Sequence, residues 1–272
     1  MSDTEMTVEK PEAVKENIKI IDIKDEIEGA GLVLLNPKSK LPFNIHNIHA
    51  IVLHQPTEVG EDMYTSFIPK IKNNTHKKIY HFAIDKEGVI FQLTSTNIAT
   101  NNCDYSEYSD RAKAYFGERI CHSDDVTDKF LSPTLKTISI CLPKIDEEGN
   151  IGSYAIESCI KLCAFLINSI APALQAQSNV ICNYYIPHES LGFKDPLEFF
   201  SDIDFSKLTQ QEIEAILNNK DDKNMIKNTK YLCFRYDIEK LRGEWLLKYK
   251  NKDGSSRGYP DIIYQTIEKK ED

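Results

Sequence analysis

Ile79-Tyr80-His81-Phe82-Ala83-Ile84-Asp85-Lys86-Glu87-Gly88-Val89-Ile90-Phe91-Gln92-Leu93 decides how this chain folds. The apolar residues up to Ile84 read as a buried strand. Asp85 to Gly88 is a tight polar turn. Val89 to Leu93 is apolar again, so the stretch predicts a hairpin. Upstream, Ile51-Val52-Leu53-His54 is another apolar run and ends on a histidine. A histidine at the tip of one strand and a Tyr-His pair on the next can set a metal ligand beside a polarising hydroxyl. Alternation along the strand assigns Tyr80 and His81 to opposite faces and gives His81 a structural role.

Outward from the hairpin, Ile48 to Leu53 is a strand, and Met63 to Ile71 has helical spacing through Phe67, Ile68 and Ile71. Thr137 to Leu142 is a buried strand rich in β-branched residues. Ser153 to Leu174 is the strongest helix, with Ser153 as N-cap. Ala155, Cys159, Leu162, Leu166 and Ile170 share one face of it, and Ile156, Ile160, Cys163 and Ile167 widen that face enough to pack on a sheet. Asn179 to Tyr185 reads as a short strand or strand end, and Pro187 to Pro196 as a loop. Asn97 to Pro133 is long, polar and aperiodic, which marks it as functional or as a surface insertion.

The flanks differ from this centre. Residues 1 to about 17 carry charge and few apolar side chains, the composition of a disordered leader. Ile18 to Ile23 alternates as a short edge strand would. Thr209-Gln210-Gln211-Glu212 is a capping box for a helix to Asn218. Lys220 to Lys230 reads as a charged linker. Tyr231 to Tyr249, with Trp245, reads as a small core of its own. The expected organisation is 1–44 leader and linker, 45–200 central domain and 201–272 helical or mixed extension. Strands alternating with helices predict an α/β fold, a central mixed β-sheet flanked by helices.

The chain has 272 residues and is 41% hydrophobic, enough for one sizeable core. Its net charge of -9 argues against non-specific nucleic-acid binding. No run is long and apolar enough for a bilayer, and the polar N-terminus reads as no signal peptide. The seven cysteines include no CxxC pair, so reduced thiols and folding in the cytoplasm are expected. Cys159 and Cys163 should pack as small apolar residues. His46, His49, His76 and His122 read as solvated or structural.

Three elements recur in order: His54 ending a strand, Tyr80-His81 opening one, and a late loop with His188, Lys194 and Asp195. Over about residues 45 to 200 the chain resembles the zinc-dependent N-acetylmuramoyl-L-alanine amidases of the phage T7 lysozyme and peptidoglycan-recognition-protein type. The matching pieces are Ile51-Val52-Leu53-His54, the run from Tyr80 to Gly88, Thr137 to Leu142, the helix from Ser153, and Lys194-Asp195-Pro196. The resemblance implies a zinc ion, with His54 and Asp195 as ligands and Tyr80 at the catalytic centre. It also implies cleavage of the amide between N-acetylmuramic acid and L-alanine. Asn183-Tyr184-Tyr185 stands where the family's second zinc histidine opens a His-Tyr-Asp-like triplet. The second ligand is therefore His188 or Asn183. Phe193 occupies the usual place of the family's oxyanion lysine, and Lys194 is adjacent to Asp195.

The resemblance implies two functions. The first is a peptidoglycan amidase acting at the cell wall. The second is an inactive amidase-like protein that binds cell-wall glycopeptide or serves in a phage tail or baseplate, as part of a virion. Neither expects nucleic acid or a membrane as partner.

Overall fold

A computed structural model describes residues 16–28, 50–73, 75–76, 78–96, 98, 100, 137–147, 150–174, 185–187 and 223–265. In chain order these form β1 (Asn17–Asp22), α1 (Lys24–Glu28), β2 (Ala50–His54), a π-helical turn (Met63–Phe67) running into α2 (Ile68–Lys72), β3 (Phe82–Ile84) and β4 (Ile90–Gln92). There follow β5 (Thr137–Cys141), α3 (Ser153–Leu174), β6 (Tyr185–Pro187), α4 (Lys223–Lys248) and β7 (Asp261–Gln265). Among the described residues the sheet has seven strands in the order β6-β2-β5-β3-β4-β1-β7. Only the β3–β4 hairpin is antiparallel; the other pairings are parallel. The predicted mixed α/β sheet flanked by helices is the fold observed.

Both faces of the sheet are covered, as a largely parallel sheet requires. Ile51, Leu53, Phe82, Ile84, Ile138 and Ile140 point to one face and pack on Cys159, Leu162, Leu166 and Ile167 of α3 and on Ile238 and Trp245 of α4. Ala83, Phe91, Leu93 and Cys141 point the other way, onto Ile27 of α1, Met63 and Phe67 of the π-helical turn, and Ile68 and Ile71 of α2. The buried stripe on α3 is narrower than the sequence suggests. Ile156 is exposed and Ile160 half-buried, while Ala164 joins the buried set. The helix also begins at Ser153 itself. The carbonyl of Gly152 receives the first helical bond, from Ile156 N–H.

The hairpin turn is locked twice. Val89 N–H donates to the Asp85 carboxylate at 2.7 Å, and Gly88 N–H donates to the Asp85 carbonyl at 3.1 Å. Gly88 has φ +82°, and a Cβ there would lie 2.7 Å from the Tyr154 carbonyl oxygen of α3. Ser158 Oγ–H donates to the Gly88 carbonyl at 2.6 Å, so this contact pins the turn to the helix. Gly88→Ala is expected to cost roughly 2 kcal/mol or more, read as a lowered urea midpoint at unchanged slope.

Three expectations are corrected. β1 is not an edge strand: β4 pairs on one side of it and β7 on the other. Its alternation signalled a strand but carried no information about a partner more than two hundred residues away. The stretch read as a charged linker is helical from Lys223 onward, inside α4. Trp245 does not form a small core of its own; it is fully buried in the main core beside α3. Expectations for residues 1–15, 29–49, 101–136, 175–184, 188–222 and 266–272 lie outside the described residues, among them His46, His49 and His122.

Candidate active site

β2 carries Val52 and His54 on the face turned away from α3, since Ile51 and Leu53 occupy the α3 face. His54 is the last residue of β2. Its backbone carbonyl accepts from Leu142 N–H at 2.7 Å, and Cys141 stands opposite it in register. Burial pushes the Cys141 thiol well up, and the Glu61 carboxylate adds to this. Cys141 is thus a neutral neighbour of His54 rather than a thiolate.

Tyr80 enters from the segment before β3. That strand opens at Phe82 rather than Tyr80, and a bend at His81 breaks the alternation. Tyr80 therefore packs in the same cluster as Ala83, three residues on, which strict alternation would place on the opposite face. The His54 and Tyr80 rings lie 5.1 Å apart at 54°. The structure thus brings together the two described members of the predicted site. Both are buried, with His54 4% and Tyr80 1% exposed.

A third ring joins them. His76 lies 6.1 Å from Tyr80 and 4.9 Å from Phe67, ring to ring. Its Nε2 is buried and has no hydrogen-bond partner among the described residues. Burial, then the nearby Lys78 ammonium, holds its pKa below the ordinary value against the pull of Glu61. His76 is thus a neutral imidazole packed beside Tyr80, within the structural role its sequence allows.

Glu61 supplies a negative charge to this region. Burial acts to raise its pKa. Hydrogen bonds from Lys70, Ser66 and the Glu58 N–H outweigh burial and hold it below the usual value. Lys70 Nζ sits 2.6 Å from its carboxylate.

His81 is committed to structure, as expected. Ser139 N–H donates to its Nδ1 at 3.0 Å, and its Nε2–H donates to the Ile98 carbonyl at 2.8 Å. Burial pushes its pKa down to about 4. Between that value and the ordinary 6.5 the unfolded chain binds the extra proton, so stability is complete above pH 6.5 and falls as pH drops toward 4. The loss attributable to this ring is about 3 kcal/mol. Urea unfolding at pH 7 and pH 4.5 should show it, and His81→Asn should lack that component.

The remaining predicted residues, His188, Lys194, Asp195 and Asn183, lie outside the described residues. β6 leads toward them: it runs parallel to β2 with Pro187 opposite Leu53. Among the described residues no group of three or more His, Cys, Asp or Glu is placed to hold a metal ion, and His54 is the one described member of the expected ligand set. With His188 as the second donor, the expected set of two imidazoles and a carboxylate would have the chemistry of a catalytic zinc centre. No helix among the described residues is long and apolar enough to cross a membrane.

No protein-family model matches the chain, and no curated protein does. Solved structures do match. A mutant endolysin from Bacillus subtilis is 15% identical with a TM-score of 0.36, covering 64% of this chain and 86% of that one. The N-acetylmuramoyl-L-alanine amidase LysC from Clostridium intestinale URNW is 15% identical with a TM-score of 0.33, covering 64% and 85%. The catalytic domain of XlyA is 13% identical with a TM-score of 0.39, covering 80% and 98%. Likenesses this distant carry no functional argument.

Proposed function

We propose that this chain is a peptidoglycan amidase that hydrolyses the bond between N-acetylmuramic acid and L-alanine, with zinc held by His54, His188 and Asp195. The reading rests on one observation: a strand-end imidazole and a tyrosine ring meet 5.1 Å apart on the sheet face opposite α3. His188 is an imidazole and so the better donor of the two candidates for second ligand. Asn183, at the family's second-ligand position, is a neutral amide and a poor zinc donor.

Zinc bound there would supply a nucleophilic water at neutral pH and polarise the scissile carbonyl. The chain's own residues would do the rest. His54 must be neutral to donate its lone pair. Tyr80 would donate its phenolic proton in a hydrogen bond to the developing oxyanion, and Lys194 would add positive charge. His81 takes no part, because both ring nitrogens are bonded within the fold.

A second reading is favoured by the burial of His54 and Tyr80. In that reading the protein is an inactive relative that binds cell-wall glycopeptide or assembles into a phage tail or baseplate. Zinc analysis of the purified protein separates the two, together with a peptidoglycan digest scored for new L-alanine amino groups. About one zinc per chain with amine release supports the amidase. A protein that stays metal-free when offered zinc and releases no amine leaves the binding reading.

A further inference from the structure

The run from Glu61 to His76 closes over Tyr80 as one piece. Asp62 Oδ1 accepts from the Thr65 N–H at 2.7 Å and caps the π-helical turn. α2 follows, and His76 N–H donates back to the Lys70 carbonyl at 3.0 Å. Glu61 ties the start of the piece to its middle: its carboxylate accepts from Ser66 Oγ–H at 2.7 Å and from Lys70 Nζ at 2.6 Å. Single π-helical turns of this kind are rare and cluster at functional sites. Just upstream the chain is anchored beside β5, where Val59 bridges to Lys144 and Gly60 N–H donates to the Lys144 carbonyl at 3.0 Å. Gly60 has φ +70°, and a Cβ there would meet nothing within 4 Å. The chain has freedom to pivot at that point.

Two rings of this piece meet Tyr80. Phe67 lies 6.3 Å from it and His76 6.1 Å, and the Phe67 and His76 rings pack edge-on at 4.9 Å. The His76 ring is half-buried, and its Nε2 is shut off from water with no hydrogen-bond partner among the described residues. A protonated imidazole carries an N–H on both nitrogens. Here the inner N–H would bring positive charge to a place without an acceptor. The charged groups facing the ring are Glu61 ahead of the turn, Lys70 on α2 and Lys78 before β3; Tyr80 is its titratable neighbour on the sheet side. Burial and the two ammoniums oppose a charge on His76. Glu61 favours one, but its carboxylate is already held by Lys70 and Ser66. Neutral His76 fits the closed packing, and protonated His76 does not. We propose that residues 61–76 form a gate over Tyr80 that swings open about Gly60 when His76 takes up a proton. Opening carries Met63 and Phe67 away from the sheet and brings water to Tyr80 and to His54 beside it. On the amidase reading this makes access to the site acid-dependent. The gate itself rests on packing alone, and its test needs neither zinc nor cleavage.

The closed form holds the His76 pKa below 6.5, and water in the open form restores the ordinary value. The open population therefore grows as pH falls below 6.5, by at most about tenfold per pH unit. Hydroxyl-radical footprinting of the full chain at about pH 7.5 and about pH 5.5 reads this from buried side chains. Met63 and Tyr80 lie under the gate, Trp245 is buried in the core on the other side of the sheet, and Tyr154 is an exposed reference. Relative to Tyr154, oxidation of Met63 and Tyr80 should rise about threefold or more at the lower pH, and at most roughly 10²-fold. Trp245 should stay protected at both. His76→Phe keeps a ring and His76→Gln keeps a polar atom, and neither can take up a proton. Each, shown folded by circular dichroism, should leave Met63 and Tyr80 equally protected at the two pH values. Equal protection in the parent protein overturns the proposal. So does a rise that survives in either folded variant, or a rise at Trp245 in step with Met63, which would mean unfolding of the whole chain.

Discussion

Replacing His54 with alanine is expected to strip the protein of zinc and to lower amide cleavage by on the order of 10³-fold or more. On the proposed reading the zinc would have three protein ligands, and removing one would leave two donors, too few to hold the ion against chelating buffer. The metal would supply both the nucleophile and the carbonyl polarisation, so its loss would remove several kcal/mol of transition-state stabilisation at once. Tyr80→Phe is the contrast. It keeps the ring that packs against His54 and removes only the hydroxyl. Zinc should stay bound while kcat falls roughly 10²-fold, the usual effect of deleting one oxyanion donor. Zinc content by atomic emission and amine release from peptidoglycan read the two effects separately. Because His54 is buried, circular dichroism must show the alanine variant folded. A folded His54→Ala protein with parental zinc or parental activity would sink the assignment of His54 as a ligand.

What was legible in the sequence was local. β2, the hairpin and β5 show as short apolar or β-branched runs and α3 as a 3.6-residue stripe, and each forms within the stretch so read, β3 opening only at Phe82. His54 ends β2 and Tyr80 lies two residues before β3, so the strands that position them could be recognised one at a time. The rest needed contacts that no local window contains. Alternation in Ile18 to Ile23 says strand, but a pairing of Ile18 with Ile262 cannot be read from either segment alone. The first turns of α4, Lys223-Asn224-Met225-Ile226-Lys227-Asn228-Thr229-Lys230, are too polar to present a clear apolar stripe. The segment therefore reads as linker in the sequence, although polar residues of this kind are acceptable helix formers. His76 packs on the Phe67 and Tyr80 rings, within the structural role its sequence allows, although those neighbours cannot be read from the residues around it. The bend at His81 shows the opposite error. A rule that holds within a strand was extended two residues beyond its start.

Trp245→Ala should destabilise the whole protein by about 3–5 kcal/mol, the usual cost of deleting a large buried aromatic side chain. That is a large share of the 5–15 kcal/mol that holds an ordinary domain together. The indole is 1% exposed, and its Nε1–H donates to the Glu16 carboxylate at 3.3 Å. Tyr249, edge-on to the indole at 6.3 Å, donates its hydroxyl proton to the Glu16 carbonyl at 3.3 Å. These contacts bind α4 to the residue that leads into β1, and β1 is held between β4 and β7. If the C-terminal segment were an independent unit, the substitution would loosen that unit alone. Because it shares the core of α3 and the sheet, the damage should spread to strands that Trp245 does not touch. Amide exchange at Ile140, in the middle of β5, distinguishes the two cases. In a single cooperative unit its protection should fall by the same free energy as global stability, on the order of 10²–10³-fold. Trp245→Phe, which keeps most of the buried surface, should restore much of that protection. Unchanged exchange at Ile140 in a destabilised Trp245→Ala protein would mean that the C-terminal elements fold and unfold on their own.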